Sequence, residues 1–228
     1  ILANGGFRIN PYLIESISDN HNNSLYNANP LRVCETCADR AANESANEND
    51  QGEAPSFAPR VISAQNHYLM ISMMQDVIRR GTATKARSLG RDDLAGKTGT
   101  TNEQKDAWFN GFNRSHVAIS WVGFDSAKPL GRGEVGGRAA LPAWIAYMKE
   151  ALKDVAEQPL VMPPGIVTVR IDPTTGKRAG SDQKDAIFEV FRAENAPELA
   201  TQRFSRTVRG VDNIGGSSNA TSKNEDPF

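Results

Sequence analysis

Apolar positions recur at helical spacing in the segment after Ser63, whose hydroxyl is suited to cap a first helical turn. Arg79 and Arg80 at the far end suit the negative end of the helix dipole, and we expect Gly81 to take a left-handed conformation there. The pattern predicts a helix, and we interpret its methionines as core filling rather than as a ligand box. The expected inner positions are Ile62, Asn66, Leu69, Met70, Met73, Val77 and Ile78.

A second helix is predicted after the glycine-rich turn at 131–137, because Pro142 is well tolerated in a first helical turn. The residues that follow repeat apolar side chains along one face, as expected of a helix packed on a core. This stripe is formed by Leu141, Trp144, Ile145, Met148, Leu152 and Val155.

Two facing strands are predicted at 107–112 and 117–124, joined by the polar turn 113–116. Both strands carry apolar residues on either face, which is typical of central strands covered on both sides. We therefore expect helices to pack on the sheet, with Trp108 and Trp121 in its core. The predicted fold class is α+β, an antiparallel sheet covered by helices.

The start of the chain predicts a hairpin within residues 7–26. Strand-like patterns lie at 7–9 and 12–17, and the polar cluster 18–24 is expected to turn the chain. From residue 27 to residue 58 large apolar side chains are almost absent, which indicates a long polar insertion loop.

The end of the chain predicts a small β extension, with strand patterns at 166–171 and 186–191. We divide the chain into a main partial domain at 1–156, this extension at 157–204 and a loose polar tail at 205–228.

The composition excludes two kinds of partner. The 228 residues carry a formal net charge of −1, so the chain lacks the basic surface that nucleic-acid binding requires. No apolar run approaches the ~20 residues of a membrane span. The chain opens at Ile1 without an initiator methionine or a signal-peptide pattern, and we expect it to begin inside a larger protein.

Two cysteines, Cys34 and Cys37, lie close together in a polar stretch. A zinc site needs further ligands, and none is suitably spaced; a redox pair would be expected beside a βαβ unit. A local disulfide or an inert thiol pair is favoured over metal or redox chemistry, and a disulfide would imply an oxidising compartment. We predict neither a metal nor a cofactor.

The stretch GKTGTT at 96–101 ends like a phosphate-binding loop, but Arg91 occupies the position where that loop requires glycine. Such a loop also lies between a strand and a helix, whereas the residues after Thr101 become aromatic and strand-like. Nucleotide binding is therefore disfavoured.

As the start of an antiparallel strand, the same stretch offers chemistry for a carboxylate. Lys97 supplies a positive charge, and Thr98 and Thr100 place hydroxyl donors on one side of the strand because side chains alternate. Gly99 between them exposes the backbone to a ligand lying alongside. The site suits a peptide that ends in a carboxylate.

The run Lys97-Thr98-Gly99 resembles the K-T-G box of the penicillin-binding protein and serine β-lactamase superfamily. Further segments are similar, in order, to the C-terminal half of the transpeptidase domain of class A penicillin-binding proteins and to the C-terminal extension. They are LANGGFRINPYLIESI, QDVIRRGTATKA, LAGKTGTTNEQKDAWFNGF, SWVGFD, GGRAALPAWIAYM and VRIDPTTG.

This resemblance implies serine acyl transfer on peptidoglycan stem peptides, with β-lactam antibiotics trapped at the same serine. It implies that Lys97 assists proton movement, that the hydroxyls of Thr98 and Thr100 hold the terminal carboxylate, and that the backbone N–H of Thr100 completes an oxyanion hole. It also implies the periplasmic face of the bacterial inner membrane, membrane attachment only through a segment outside this chain, and a second, glycan-polymerising activity.

The nucleophile and the second motif box of this family, S-x-x-K and S-x-N, are expected upstream of Ile1, in another part of the same protein. Three local matches are interpreted as chance: Ser181 to Lys184 follows the K-T-G box, Ser18 to Asn20 lies in a turn, and Ser217 to Asn219 lies in the tail. A serine β-lactamase and a non-catalytic scaffold fragment remain alternatives, and we expect the isolated chain to be inactive.

His67 and His116 are interpreted as surface or helix-face residues, because their spacing suggests no Ser-His-Asp group. The charged run 87–93 is interpreted as a solvated loop that leads into the K-T-G strand.

Overall fold

The computed structural model describes residues 1–34 and 57–198. The first element is a short antiparallel hairpin of β1 (Ser16–Ser18) and β2 (Ser24–Asn27). Asp19 shapes its turn, because Oδ1 accepts hydrogen bonds from the backbone N–H groups of His21 and Asn23, both at 2.8 Å. The hairpin is confirmed, with shorter strands than predicted; the predicted strand 7–9 is wrong, since Phe7 forms only an isolated bridge to Arg60.

Helix α1 (Ala64–Arg79) begins where the sequence predicts, because the Ser63 hydroxyl accepts a hydrogen bond from Asn66 N at 3.2 Å. Its inner face agrees with the prediction only in part: Ile78 is buried and Val77 packs on the core, as predicted, but the other predicted positions are not buried. Ile71, Gln75 and Ile78 are the buried residues, whereas Met70 and Met73 are exposed. Apolar residues lie on more than one side of this helix, so periodicity alone did not decide which side packs.

The prediction for Gly81 is also wrong, because this residue does not have a positive φ. A Cβ at Gly81 would lie 2.8 Å from Val77 Cα. The glycine therefore allows the chain to pass close to α1, and the left-handed cap appears at Gly90 (φ 65°), after a 3-10 helix at Thr84–Leu89.

The main sheet has three antiparallel strands in the order β3 (Ala95–Thr100), β4 (Asp106–Phe112) and β5 (Val117–Gly123). The two predicted facing strands are confirmed as β4 and β5, and the K-T-G strand is confirmed as antiparallel. Lys97 lies opposite Asn110, and Thr98 lies opposite Phe109. β3 is an edge strand of this sheet.

Helices α2 (Gly136–Ala139) and α3 (Leu141–Ala151) follow the sheet, and α3 carries the predicted stripe inward. Trp144 packs edge-on against Phe109, with ring centroids 4.8 Å apart. Its indole N–H lies 3.1 Å from the carbonyl of Ala118 and 3.3 Å from that of Gly111, so the core tryptophan leaves no buried donor unpaired.

The opposite face of the sheet is left uncovered by described residues around Trp108, Ile119 and Trp121, which corrects the prediction of two covered faces. Ile119, Trp121 and Trp108 retain 64%, 45% and 37% of their accessible surface. Trp108 and Trp121 pack on each other with ring centroids 5.9 Å apart, and the Trp121 indole donates to Asp106 Oδ1 at 3.0 Å. Their assignment to the sheet core is therefore wrong within this part of the chain.

The extension is a separate antiparallel pair, β6 (Ile166–Ile171) and β7 (Ile187–Arg192), as the strand patterns predict. An ion pair between Arg80 and Glu189, 3.2 Å apart, links β7 to the end of α1. No helix within the described ranges combines the length and the apolar character that crossing a membrane requires.

Candidate functional site

The candidate site lies along β3, where the Lys97 side chain is exposed. Its ammonium donates to the carbonyl oxygen of Thr98 at 2.9 Å. The register places Lys97 opposite Asn110, on the sheet face that also carries Trp108 and Trp121. The positive charge is therefore available to a ligand that approaches this edge of the sheet.

Thr98 and Thr100 lie on one side of β3, as alternation predicts, since they are opposite the inward residues Phe109 and Ala107. The hydroxyl oxygen of Thr98 is 2.8 Å from that of Thr82. The hydroxyl oxygen of Thr100 accepts a hydrogen bond from Gly136 N at 3.1 Å. Both site hydroxyls therefore have a hydrogen-bond partner in a segment that packs against β3.

The backbone of β3 presents donors at its open edge. Thr101 N donates to Asp106 O at 3.1 Å, across to β4. Successive N–H groups of a strand point to opposite sides, so the N–H of Thr100 points away from β4. No strand of the described ranges pairs with that edge, and Gly99 leaves the adjoining backbone without a side chain.

The glycine-rich segment packs directly on β3. A Cβ at Gly136 would lie 2.6 Å from the Gly99 carbonyl oxygen and 2.3 Å from that of Trp108, so only glycine fits there. The Gln104 side-chain oxygen accepts hydrogen bonds from the backbone N–H groups of Gly133 at 2.6 Å and Glu134 at 3.1 Å. The turn after β3 and the loop before α2 are thereby joined.

A buried ion pair supports the start of β3. Arg91 donates two hydrogen bonds to the carboxylate of Asp93, at 2.9 and 2.8 Å, and their side chains are 11% and 1% exposed. Burial by itself would raise the pKa of Asp93, but hydrogen bonds from Arg91, Gln158 and Asn113 hold that pKa below its ordinary value. The prediction of a solvated loop is therefore wrong for these two residues.

Asp93 also ties distant segments together. Its Oδ2 accepts from Asn113 Nδ2 in the turn between β4 and β5, and from Gln158 N after α3, both at 3.2 Å. Arg91 donates to the carbonyl oxygen of Val155 at 2.7 Å. One carboxylate thus joins β3, that turn and the segment after α3.

The other candidates do not join this site. His67 bonds to the Leu2 carbonyl oxygen, and His116 lies 2.9 Å from the Ser115 hydroxyl. Ser181 is exposed in a turn between β6 and β7, whereas an S-x-x-K box requires a helix. Cys37 and the motif match at 217–219 lie outside the described residues, so the disulfide of Cys34 and Cys37 stays a prediction.

Chemically, β3 offers one ammonium, two hydroxyls and the outward N–H of Thr100, all of which can donate to an anion. Among the described residues there is no group of three His, Cys, Asp or Glu side chains that could hold a metal ion. The arrangement is suited to holding a carboxylate and to stabilising developing negative charge.

Sequence reasoning missed Thr82, Gln104 and Gly136 as residues that touch the site. A signal was present for each, because all three belong to the segments on which the family resemblance rests. The sequence could not assign their roles, since Thr82 and Gly136 contact β3, and Gln104 holds the loop before α2, only after these segments have packed together.

Comparison with known proteins gives a consistent result. The model of the family described as penicillin binding protein transpeptidase domain matches residues 1–129. The chain is 45% identical to penicillin-binding protein 1A of Pseudomonas aeruginosa over 221 residues, and 34% identical to penicillin-binding protein 1A of Vibrio cholerae over 234 residues. These alignments include 86% and 91% of the chain.

A solved structure agrees. The crystal structure of penicillin-binding protein 1A from Haemophilus influenzae superimposes with a TM-score of 0.71 at 39% identity, including 86% of this chain. The chain spans 27% and 28% of the length of the Pseudomonas and Vibrio proteins and 31% of the Haemophilus chain. The similarity therefore concerns one portion of longer proteins.

Proposed function

This chain belongs to the penicillin-binding protein transpeptidase family, and from that premise we propose that it supplies the K-T-G side of a peptidoglycan DD-transpeptidase site. The observation that carries the proposal is the open edge of β3, where Lys97, two hydroxyls and an outward N–H surround a glycine. Such an edge can hold an extended peptide and its terminal carboxylate.

The proposed reaction is a serine acyl transfer in two steps. A serine oxygen attacks the carbonyl carbon of the penultimate D-alanine of a stem peptide, an ester forms, and the terminal D-alanine leaves with the proton that the serine lost. The amine of a neighbouring stem peptide then attacks the ester, a new peptide bond forms, and the serine recovers its proton.

The residues of β3 have different roles in this proposed reaction. The ammonium of Lys97 lowers the free energy of the alkoxide and helps the proton to move. The hydroxyls of Thr98 and Thr100 hold the terminal carboxylate, and the Thr100 N–H stabilises the oxyanion, with about 3 kcal/mol as the typical contribution of such a donor.

The serine and the S-x-N box are supplied, in this proposal, by an upstream part of the same protein. β-Lactams acylate that serine because they mimic the D-alanyl-D-alanine terminus. The site faces the periplasm, and a segment outside this chain anchors the protein in the inner membrane. The longer protein also polymerises glycan strands, as a class A member would.

Labelling with a fluorescent penicillin tests the proposal. We expect the full-length protein to form one covalent adduct, which peptide mapping by mass spectrometry places on a serine upstream of Ile1. A peptide ending in D-alanyl-D-alanine should slow labelling by competition.

The chain 1–228 alone serves as the control and should form no adduct. An adduct on Ser181 would show that the catalytic serine lies within this chain. A full-length protein that takes no label would refute the proposed acyl transfer.

A further inference from the structure

Thr82 lies next to the candidate site although it is distant from β3 in sequence. It follows the end of α1, and its hydroxyl oxygen lies 2.8 Å from that of Thr98. We propose that Thr82 is a positioning residue that directs the hydrogen of the Thr98 hydroxyl toward the bound carboxylate. This inference rests on the proposed function, because it concerns how β3 holds its ligand.

The neighbouring hydroxyl shows how such direction arises. The partner of Thr100 Oγ1 is the backbone N–H of Gly136, which can only donate. Thr100 must therefore accept this bond. Its single hydrogen is left free to point at an anion on the outer side of β3.

Thr98 also has one partner, but that partner is a hydroxyl, which can either donate or accept. A carboxylate ligand accepts only, so Thr98 must donate to it. The hydrogen of Thr82 is then the one that lies between the two oxygens. The chain of donors runs from Thr82 to Thr98 to the ligand, and each bond strengthens the next by polarisation.

The backbone holds Thr82 in the position that this series of hydrogen bonds requires. Ala83 N donates to the carbonyl oxygen of Val77 at 2.9 Å, which fixes the turn after α1. A Cβ at Gly137 would lie 2.5 Å from the carbonyl oxygen of Thr82, so that glycine segment packs closely against it. The turn after α1, β3 and the segment before α3 thus meet at the two threonines.

Removing only the Thr82 hydroxyl tests the inference in the full-length protein. Thr82→Val keeps the branched shape but loses the donor, and Thr82→Ser keeps the donor. We expect Thr82→Val to lower the second-order rate constant of acylation by fluorescent penicillin by about 5- to 10-fold, the effect of one net hydrogen bond. Thr82→Ser should stay within about 2-fold of the wild type on the same grounds.

A penicillin methyl ester separates positioning from folding. The ester replaces the charged carboxylate by a neutral carbonyl acceptor, so the loss of acylation rate in Thr82→Val, measured by competition with the fluorescent penicillin, should be clearly smaller with the ester than with penicillin. Thr84→Val is the matched control, since Thr84 is exposed in the 3-10 helix and makes no side-chain hydrogen bond within the described residues. It should react like the wild type with both compounds.

Two results would overturn the role of Thr82 while leaving the proposed function intact. One is a Thr82→Val protein that is acylated by penicillin as fast as the wild type. The other is an equal loss with the ester, which would mean that the substitution disturbs the site generally. A wild-type protein that takes no label would overturn both proposals together.

Discussion

A single lysine supplies the positive charge at the open edge of β3. Lys97 extends from the sheet face that also carries the exposed Trp108 and Trp121, and within the described ranges its ammonium is held by the carbonyl oxygen of the next residue. A charge held by one neutral acceptor and otherwise open to solvent is free to turn toward a substrate. This is the residue-scale basis of the proposed chemistry.

We expect Lys97→Ala to slow acylation of the full-length protein by penicillin by at least about a hundredfold, because a charge that stabilises the reacting oxygen is lost. Stopped-flow or gel-based labelling would measure the rate. Lys149→Ala is the matched control, since Lys149 is exposed on α3, and it should react normally. An unchanged rate in Lys97→Ala would exclude the proposed role.

Asp93 is the second residue whose environment predicts a measurable effect. Its carboxylate is buried, paired with Arg91 and bonded to three segments. Asp93→Asn removes the charge and leaves the Arg91 charge without its partner. We expect the free energy of unfolding at neutral pH to fall by about 3 kcal/mol, as for other buried ion pairs that lose one member.

The contribution of Asp93 to the free energy of unfolding depends on pH with a defined sign. Because folding lowers the pKa of Asp93 below the unfolded value of 3.8, its stabilising contribution is complete above that pH and is lost as the pH falls through the folded pKa. The melting temperatures of the wild type and Asp93→Asn should therefore differ at pH 7 and approach each other below about pH 4. The exposed Asp92→Asn is the control; a gap that widened in acid would contradict this account.

At the scale of elements, the turn between β3 and β4 is hydrogen-bonded to the glycine-rich loop before α2. Glu103 and Gln104 both have positive φ, 59° and 57°, which is uncommon outside glycine. Gln104 is held in this conformation by bonds from Gly133 and Glu134, and its carbonyl oxygen accepts from Leu130 N at 2.9 Å. The turn therefore depends on the loop for its shape.

We expect Gln104→Ala to lower the free energy of unfolding by about 1 to 3 kcal/mol, because two backbone donors lose their acceptor. Acylation should slow as well, since the same loop carries the Gly136 N–H that orients Thr100. Glu103→Ala is the matched control, with a similar φ but an ion pair to Lys105 on the surface. Equal effects of the two substitutions would indicate that backbone strain, and not the hydrogen bonds accepted by the Gln104 side chain, causes the loss.

At the scale of the whole molecule, the sheet is asymmetric. One face is sealed by α3 through Trp144 and Met148, both fully buried, and the other carries the exposed Ile119 and Trp121. Apolar residues on both faces predicted two central strands, and among the described residues β4 is central whereas β5 is an edge strand. The pattern could not say which partner covers each face. That depends on segments that lie far away in sequence.

Local signals predicted most elements of the chain. The Ser63 cap, the stripe of α3 and the alternation in β4 and β5 each arise from contacts within a few residues, so they can be read along the chain. Part of the inner side of α1, the conformation of Gly81 and the burial of Asp93 were predicted wrongly. The inner side of α1 and the burial of Asp93 depend on neighbours brought close by packing, whereas Gly81 is constrained by Val77, four residues earlier.

The sequence by itself determined most of the elements, the spacing of Lys97, Thr98, Gly99 and Thr100, and the family, because these follow from residue type and order. Only the tertiary structure decided that Thr82, Gln104 and Gly136 support that strand, and that Arg91 and Asp93 are buried beneath its start. The physical reason is that hydrogen bonds and burial depend on distance in space, which folding sets between residues that the chain keeps apart.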